Sequence, residues 1–136
     1  MKNLIISLIV CGFAVFMGCN KDSESGRFTM LTGPVWLTDS LLVDGVDASG
    51  PGMLLAKFKG EAKFNEDGTG TFGVYKGTWA FAHNETQIVI YSDSLLIPLV
   101  TLIKELTNTS LKITTSVPNM SNLSDTLDIR MTFKAK

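Results

Sequence analysis

Histidine, serine and acidic side chains are the residues of this chain that could carry out catalysis or bind a metal. The 136-residue sequence contains one histidine, His83, within a predicted turn at residues 82–85. A zinc site takes three or four ligands, usually several histidines or cysteines, and a Ser-His-Asp triad would require His83 as its base. No Gly-x-Ser-x-Gly segment of a nucleophile elbow is present. We therefore expect no enzymatic activity, no metal and no cofactor.

Acidic residues cluster at two places where a pair of carboxylates could act as acid and base. Glu66 and Asp67 precede Gly68, and Asp-Gly is a strong hairpin signal, so turn formation explains this pair. Asp44 and Asp47 lie in a glycine-rich loop that lacks the Asp-x-Asp-x-Asp-Gly spacing of a calcium loop. Both clusters are interpreted as turns rather than as catalytic or cation sites.

Large apolar side chains are the best candidates for a binding function. Strand periodicity assigns most of the aromatic residues to the interior, where they would either fill the core or line an apolar cup for a small ligand. Core packing is the simpler interpretation because a small β-domain needs its interior filled. The residues that we name as candidate ligand contacts are Trp36, Phe58, Phe72, Trp79, Phe81 and Met131.

Alternating apolar and polar residues predict the strands that would position these side chains. In residues 54–64 charged side chains alternate with apolar ones, which is the period-two pattern of a half-buried strand. Leucines at 95, 99, 102 and 106 also fit a helix, but Pro98 favours a strand over 100–106. With turns at 67–68, 76–77 and 83–85, the predicted strands are 35–43, 54–64, 69–75, 78–82, 86–91, 100–106, 111–115 and 127–134.

Eight strands joined mostly by short turns predict an all-β fold, an antiparallel meander that closes into a barrel. Closure removes the two exposed edges that an open sheet would keep. An eight-stranded barrel is just wide enough to be filled by side chains or to hold one small ligand.

The N-terminal residues carry the pattern of a secretory signal. Lys2 precedes an apolar run over residues 4–17, which is shorter than the roughly 20 residues of a membrane-spanning helix. Residues 16–19, Phe-Met-Gly-Cys, resemble the lipobox of bacterial lipoproteins. The resemblance implies a signal peptide over residues 1–18 and acylation of Cys19, which would anchor the protein in a membrane. Cys11 lies inside the signal, so the mature chain would form no internal disulfide.

Residues 19–30 are interpreted as the lipidated N-terminus and a flexible tether, ahead of a barrel domain over residues 31–136. The lysine and acidic residues that follow Cys19 resemble the export signal of Bacteroidota lipoproteins. That resemblance implies display on the outer face of the outer membrane. The alternative is a plain linker with the domain facing the periplasm.

The domain sequence resembles the lipocalin-like domains that are common among Bacteroidota lipoproteins. The resemblance implies an eight-stranded barrel, and thus a fold more than an activity; the hypothesis of a small apolar or amphipathic ligand comes from the inward-facing aromatic residues. The resemblance rests on the order and spacing of four segments, which are Leu-Thr-Gly-Pro-Val-Trp at 31–36, Phe-Asn-Glu-Asp-Gly-Thr at 64–69, Gly-Thr-Trp at 77–79 and Leu-Thr-Asn-Thr-Ser-Leu at 106–111.

Charge and composition leave two classes of function open. A net charge of −1 gives no basic surface for nucleic acid. The protein is then either a membrane-anchored barrel that binds a small apolar or amphipathic ligand, or a non-catalytic scaffold or interaction module of the cell envelope, which includes an inhibitor. A core filled by Trp36, Trp79 and the phenylalanines argues against the first, whereas an apolar patch at one rim supports the second.

Overall fold

A closed β-barrel preceded by a short helix forms the described part of the chain. The structure is a computed structural model that describes residues 25–136. Helix α1 spans Gly26–Thr32 and is followed by nine strands. These are β1 Trp36–Val43, β2 Val46–Asp47, β3 Glu61–Phe64, β4 Thr69–Phe72, β5 Tyr75–Ala82, β6 Gln87–Tyr91, β7 Leu99–Leu106, β8 Ser110–Pro118 and β9 Thr126–Ala135. The predicted signal peptide and Cys19 lie outside the described residues.

The barrel wall is an eight-stranded antiparallel meander. Strands β1 and β3 to β9 follow one another around the sheet, and β9 returns to pair with β1 from Trp36↔Ala135 to Val43↔Ile129. The short strand β2 pairs with the C-terminal end of β1, where Leu42 lies opposite Asp47. The predicted fold class is confirmed, with β2 and α1 as additions. Because every wall strand has two neighbours, the sheet keeps no long free edge.

The segment over residues 54–64, predicted as one strand, is only partly a strand. Ala56–Phe58 forms a 3-10 turn, and β3 starts at Glu61. Gly60 has φ +121°, a conformation that favours glycine and interrupts the extended backbone. Leu55 and Phe58 consequently turn inward and are both buried. The alternating pattern was misleading because it continued through a segment that caps the barrel instead of extending its wall.

The predicted tight turn at Lys76-Gly77 is also wrong, since both residues lie inside β5. The chain turns earlier, at Gly73, which has φ +61°. A Cβ on Gly77 would lie 1.8 Å from the carbonyl oxygen of Tyr91 on the neighbouring strand. Gly77 is therefore required by close approach of β6, whereas Gly73 is required both by the turn and by the Lys57 carbonyl oxygen, which would lie 2.1 Å from a Cβ. The sequence alone does not distinguish these two uses of glycine.

The ambiguous region over residues 95–106 contains the strand that was favoured over a helix. Pro98 directly precedes β7, which runs from Leu99 to Leu106. Proline is tolerated there because the position lies outside the hydrogen-bonded ladder. The strands predicted at 111–115 and 127–134 are also present, and both extend further, to Ser110–Pro118 and Thr126–Ala135.

Helix α1 includes residues 26–30, which the sequence analysis had assigned to the tether. Ser25 caps its start by accepting a hydrogen bond from the Phe28 amide at 3.0 Å. At its other end, Lys63 Nζ donates to the main-chain carbonyl oxygens of Thr32, Gly33 and Pro34. A lysine at this position satisfies carbonyl groups that the helix cannot pair by itself.

Candidate functional site

The residues predicted as ligand contacts do come together, and they do so in the barrel core. Trp36, Phe58, Phe72, Trp79 and Met131 are each at most 9% exposed. Phe81 lies on β5 and is half-buried against the same cluster. Their positions agree with the inward face that strand periodicity assigned to them. The cluster also contains Phe64, Leu111, Ile113, Ile129 and Phe133.

The aromatic rings of this cluster pack directly on one another. The ring centroid of Phe64 lies 5.2 Å from that of Phe72 and 5.6 Å from that of Trp79, and the Phe64–Trp79 pair is edge-to-face. Phe81 meets the other side of Trp79 at 5.3 Å. Ring pairs at these separations add about 0.5–1.5 kcal/mol each beyond the burial of their apolar surface. The arrangement is that of a packed core.

Both indole N–H groups are used inside the protein. Trp36 Nε1 donates to the carbonyl oxygen of Leu31 at 3.0 Å, and Trp79 Nε1 donates to that of Asn65 at 2.9 Å. Among residues 25–136, every buried side-chain nitrogen or oxygen has a hydrogen-bond partner. The described core therefore offers no unsatisfied polar group that could orient a ligand.

The space that remains inside the aromatic cluster is about 10 Å³, and its lining includes Phe58, Phe72 and Met131. That volume is about what one water molecule requires, whereas small-molecule sites occupy about 300–1,000 Å³. Both mouths are also covered, because Leu31 of α1 is buried at one end and Leu55 and Phe58 are buried at the other. The predicted contact residues fill the barrel and leave no volume for a small ligand among them.

The exposed apolar residues are distributed unevenly over the barrel. Four connections lie at one end of the barrel, namely β1–β2, β4–β5, β6–β7 and β8–β9. Residues 48–60 lie at the same end, where the Val74 amide donates a hydrogen bond to the Lys57 carbonyl oxygen. Most exposed large hydrophobic side chains of the described chain lie in β2 or these connections. We call this set the apolar rim, which consists of Val46, Met53, Leu54, Val74, Leu96, Ile97, Met120 and Leu123.

The two longest hairpin loops contribute the three most exposed members of the apolar rim, Leu96, Met120 and Leu123. Leu96 and Ile97, between β6 and β7, are 100% and 61% exposed. Met120 and Leu123, between β8 and β9, are 81% and 76% exposed. Apolar side chains at several loop tips on one end of a protein are typical of an interaction surface.

The opposite end, which we call the polar end, consists of α1 and the connections at residues 65–68, 83–86 and 107–109. None of the exposed large hydrophobic side chains of residues 25–136 lies there. His83 is exposed in the predicted turn, where His83, Asn84 and Glu85 all have positive φ. The turn interpretation of residues 66–68 is confirmed as well, since Gly68 donates to the Asn65 carbonyl oxygen.

Carboxylates at the polar end stabilise turns and strand ends. Asp67 accepts hydrogen bonds from the Thr69 hydroxyl and amide, which lower the pKa of its carboxyl group. Hydrogen bonds from Ser110 and Lys112 to Glu105, together with the charge of Lys112, lower the pKa of the Glu105 carboxyl group. Local hydrogen bonds account for the behaviour of both groups.

Potential metal ligands are dispersed over the described chain. In residues 25–136 no three His, Cys, Asp or Glu side chains lie close enough together to hold a metal ion. Asp47, from the glycine-rich loop, accepts hydrogen bonds from the Ser49 hydroxyl and amide instead. The same residues include no helix with the length and hydrophobicity needed to cross a membrane.

Comparison of the chain with protein-family models finds no match, and comparison with curated proteins finds none either.

The sequence analysis did not identify the apolar rim. A signal was present, because Leu96, Ile97, Met120 and Leu123 lie between predicted strands, where polar residues are usual. The alternating pattern drew attention to the strands instead. These residues lie at the same end of the barrel because of the direction of each strand, and the structure of the closed barrel defines those directions.

Proposed function

We propose that this protein is a membrane-anchored, non-catalytic interaction module that docks a protein partner through the apolar rim. The observation that supports the proposal is the contrast between a filled interior and a set of exposed apolar loop tips. Transfer of exposed leucine and methionine side chains from water to a partner surface is favourable by about 25 cal/mol per Å² of apolar surface. The barrel then serves as a rigid scaffold that holds the loops in place.

The proposal replaces the interior ligand site that the inward-facing aromatic residues suggested. A small apolar ligand among Trp36, Phe72 and Met131 would require a cavity that the packed rings do not leave. The lipocalin-like resemblance is retained here as a hypothesis about fold and family. The module would use the barrel for rigidity and its loop tips for recognition.

Acylation of Cys19 would determine which end of the barrel faces the membrane. The described chain begins at Ser25, whose hydroxyl donates to the Glu85 carboxylate at the polar end. Residues 19–24 can span at most about 20 Å. A wall strand of 8 residues, such as β1, is about 26 Å long. An anchor at Cys19 would thus hold the polar end near the bilayer and leave the apolar rim free for a partner, on the cell surface or in the periplasm.

The charges of the two longest rim loops indicate which partner surface would be complementary to them, whereas residues 48–60 at the same end carry the exposed Lys57 and Lys59. The loop at residues 92–98 contains Asp93, and the loop at 119–125 contains Asp125, and neither loop has a basic residue. A partner with an apolar patch bordered by lysine or arginine would match both features. Such charges mainly accelerate association and select the partner, while apolar contact supplies the affinity.

Site-specific photocrosslinking in the native cell tests the proposal. A photoreactive phenylalanine analogue replaces Leu96 or Leu123 in the apolar rim, and Asn108 at the polar end is the matched exposed control. We expect a discrete protein adduct from both rim positions and none from Asn108. Changing Asp93 and Asp125 to lysine should weaken the rim adducts. Lipid adducts at the rim, equal protein adducts at Asn108, or no rim adduct would each contradict the proposal.

A further inference from the structure

A second concave surface lies on the outside of the barrel wall, and its lining extends as far as Gly45 in the β1–β2 connection. It has a volume of about 620 Å³, and residues of β1, β6, β7, β8 and β9 line it. We call it the outer groove. Its volume lies within the range of known ligand sites, about 300–1,000 Å³, whereas the space in the barrel core is far below that range. The outer groove therefore has room for a ligand.

Strand register explains the shape of the outer groove. Four residues on neighbouring strands pair in sequence. Leu102 of β7 lies opposite Thr114 of β8, and Arg130 of β9 lies between Thr114 and Leu42 of β1. These outward-facing residues form one row across the strands. Two residues further along each strand, Val100, Ser116 and Asp128 form a second row. The groove runs between the two rows, across the strands.

The hydrogen-bonded ladder between β7 and β8 ends within the groove. Leu102↔Thr114 is the last pair, although β7 begins at Leu99 and β8 continues to Pro118. The two strands separate beyond this point, where the Thr115 hydroxyl donates to the Val100 carbonyl oxygen at 2.6 Å. A side-chain hydroxyl therefore takes the place of a ladder hydrogen bond at this point of the wall.

The chemistry of the lining changes from one strand to the next. On β7 the groove lies between two apolar side chains, Val100 and Leu102, which are 48% and 39% exposed. On β8 it lies between the hydroxyl groups of Thr114 and Ser116. Along the groove, a ligand would therefore meet an apolar contact first and hydrogen-bonding groups next.

The β9 section of the groove carries charge. Asp128 already accepts a hydrogen bond from the Ser116 hydroxyl at 2.9 Å. Arg130, in contrast, forms no ion pair among residues 25–136, whose ion pairs join Lys112 to Glu105, Lys134 to Asp39 and Lys136 to Glu61. A guanidinium group offers several N–H donors and binds carboxylates well. Arg130 is therefore the group of this section that could pair with a ligand carboxylate, and Asp128 places a negative charge two residues away on the same strand.

We propose that the outer groove binds a short extended peptide segment that has an apolar side chain followed, about three residues later, by a carboxylate. The apolar side chain lies between Val100 and Leu102, the peptide groups reach Thr114 and Ser116, and the carboxylate reaches Arg130. Neighbouring strands are about 4.8 Å apart, so the five strands that line the groove, in the order β6, β7, β8, β9 and β1, span about 19 Å. That length corresponds to about five or six extended residues.

NMR titration of the purified chain with defined peptides tests this assignment. The probe is the acetylated, amidated hexapeptide Ala-Leu-Ser-Ser-Glu-Ala, and the comparison peptide has glutamine in place of glutamate. We expect the glutamate peptide to shift the amide signals of residues 100–102, 114–116 and 128–130. It should bind about threefold to fivefold more tightly than the glutamine peptide, as an exposed ion pair allows.

Two protein variants make the test specific. Arg130→Gln should remove the preference for glutamate, whereas Lys134→Gln, an outward-facing change on the same strand, should retain it. No shift at the groove residues with millimolar peptide, equal binding of the two peptides, or an unchanged preference in Arg130→Gln would overturn the proposal. So would decanoate shifting these signals when neither peptide does.

This site is independent of the apolar rim. Changing Leu96 and Leu123 to serine alters the proposed docking surface but leaves the groove residues in place. That double variant should bind the glutamate peptide with unchanged affinity. Failure of the rim proposal and failure of the groove proposal are therefore distinguishable, since one is measured by crosslinking and the other by peptide titration.

Discussion

Both ends of this barrel contain leucine side chains, which are buried at the polar end and exposed at the apolar rim. At the polar end, the apolar side chains of α1 point inward, and Leu31 is completely buried beneath turns made of polar residues. At the apolar rim, Leu96 is completely exposed. Single exposed leucines are common on protein surfaces, but a set of exposed apolar side chains at one end is typical of an interaction surface. The difference indicates that the polar end closes the barrel and that the rim has another role.

The chain is held differently at the two ends as well. At the polar end, Arg27 Nε donates to the Glu85 carbonyl oxygen at 3.0 Å, and Lys63 binds three consecutive carbonyl oxygens. In the rim loop at residues 119–125, hydrogen bonds link near neighbours in sequence, such as the Asn122 amide to the Asn119 carbonyl oxygen. Side chains at the polar end therefore contribute to global stability, whereas those of this rim loop are free to contact a partner.

The same substitution at the two ends should have the most unequal effect. Leu31→Ala removes a fully buried side chain and should lower the free energy of unfolding by about 3 kcal/mol, because a cavity remains. Leu96→Ala should change it by less than about 0.5 kcal/mol, since the side chain is exposed. Urea denaturation measures both values. Similar losses for the two variants would show that the contrast between the ends is wrong.

Removing the lysine that holds α1 should have a smaller effect. Lys63→Met keeps most of the side-chain length but leaves the carbonyl oxygens of Thr32, Gly33 and Pro34 without their charged donor. We expect a loss of about 1–2 kcal/mol in the free energy of unfolding. Lys134→Met is the matched control, because Lys134 is 71% exposed in its ion pair with Asp39 and should contribute little. Equal losses would mean that Lys63 does not secure the helix.

Polar substitutions in the apolar rim should change surface hydrophobicity without changing stability. Replacing Leu96 and Met120 by serine should shorten retention on a hydrophobic-interaction column, while the urea midpoint stays the same. Asn84→Ser and Asn108→Ser at the polar end should leave retention unchanged. A rim variant that unfolds more easily than the wild-type protein would reveal that these side chains support the fold after all.

The pH dependence should be the smallest effect, and it should come from Asp67 and Glu105 at the polar end together with Asp47 of β2, whose carboxyl pKa is lowered by hydrogen bonds from Ser49. The pKa values of Asp67 and Glu105 are lowered by hydrogen bonds. Their stabilising contribution is therefore complete above the ordinary carboxyl pKa, near 4, and is lost as the pH falls through that range toward the folded-state pKa. Asp67→Asn combined with Glu105→Gln should reduce the change in the urea midpoint between pH 6 and pH 3. A matching change from Asp93→Asn in the rim would contradict this assignment.

Much of the fold could be predicted from the sequence because period-two alternation directly reports a half-buried strand. Strands β7 and β9 and the turn at His83 follow from local patterns. The cap formed by Leu55 and Phe58 does not, because its residues alternate as a strand would, whereas the 3-10 turn and the packing of the Phe58 ring 4.7 Å from that of Tyr75 depend on the folded chain. The two uses of glycine at 73 and 77 likewise depend on neighbouring strands.

The candidate site was harder to predict than the fold for a physical reason. The inward positions of Trp36, Phe72, Trp79 and Met131 follow from strand periodicity, but whether they surround a cavity depends on the sum of side-chain volumes in three dimensions. Apolar loop residues such as Leu96 and Leu123 are visible in the sequence. Their common end, and the row that joins Leu102 to Arg130 in the outer groove, depend on strand direction and register.

The most direct test of the central claim is to locate where an apolar probe contacts the protein. Methyl-labelled protein is titrated with benzene, and transferred magnetisation identifies the methyl groups that it touches. The filled interior and the exposed rim predict contacts at Leu96, Ile97, Met120 and Leu123. Contacts at Met131, Ile113 and Leu111 inside the barrel would contradict the account, because they would reveal an interior that opens to ligands.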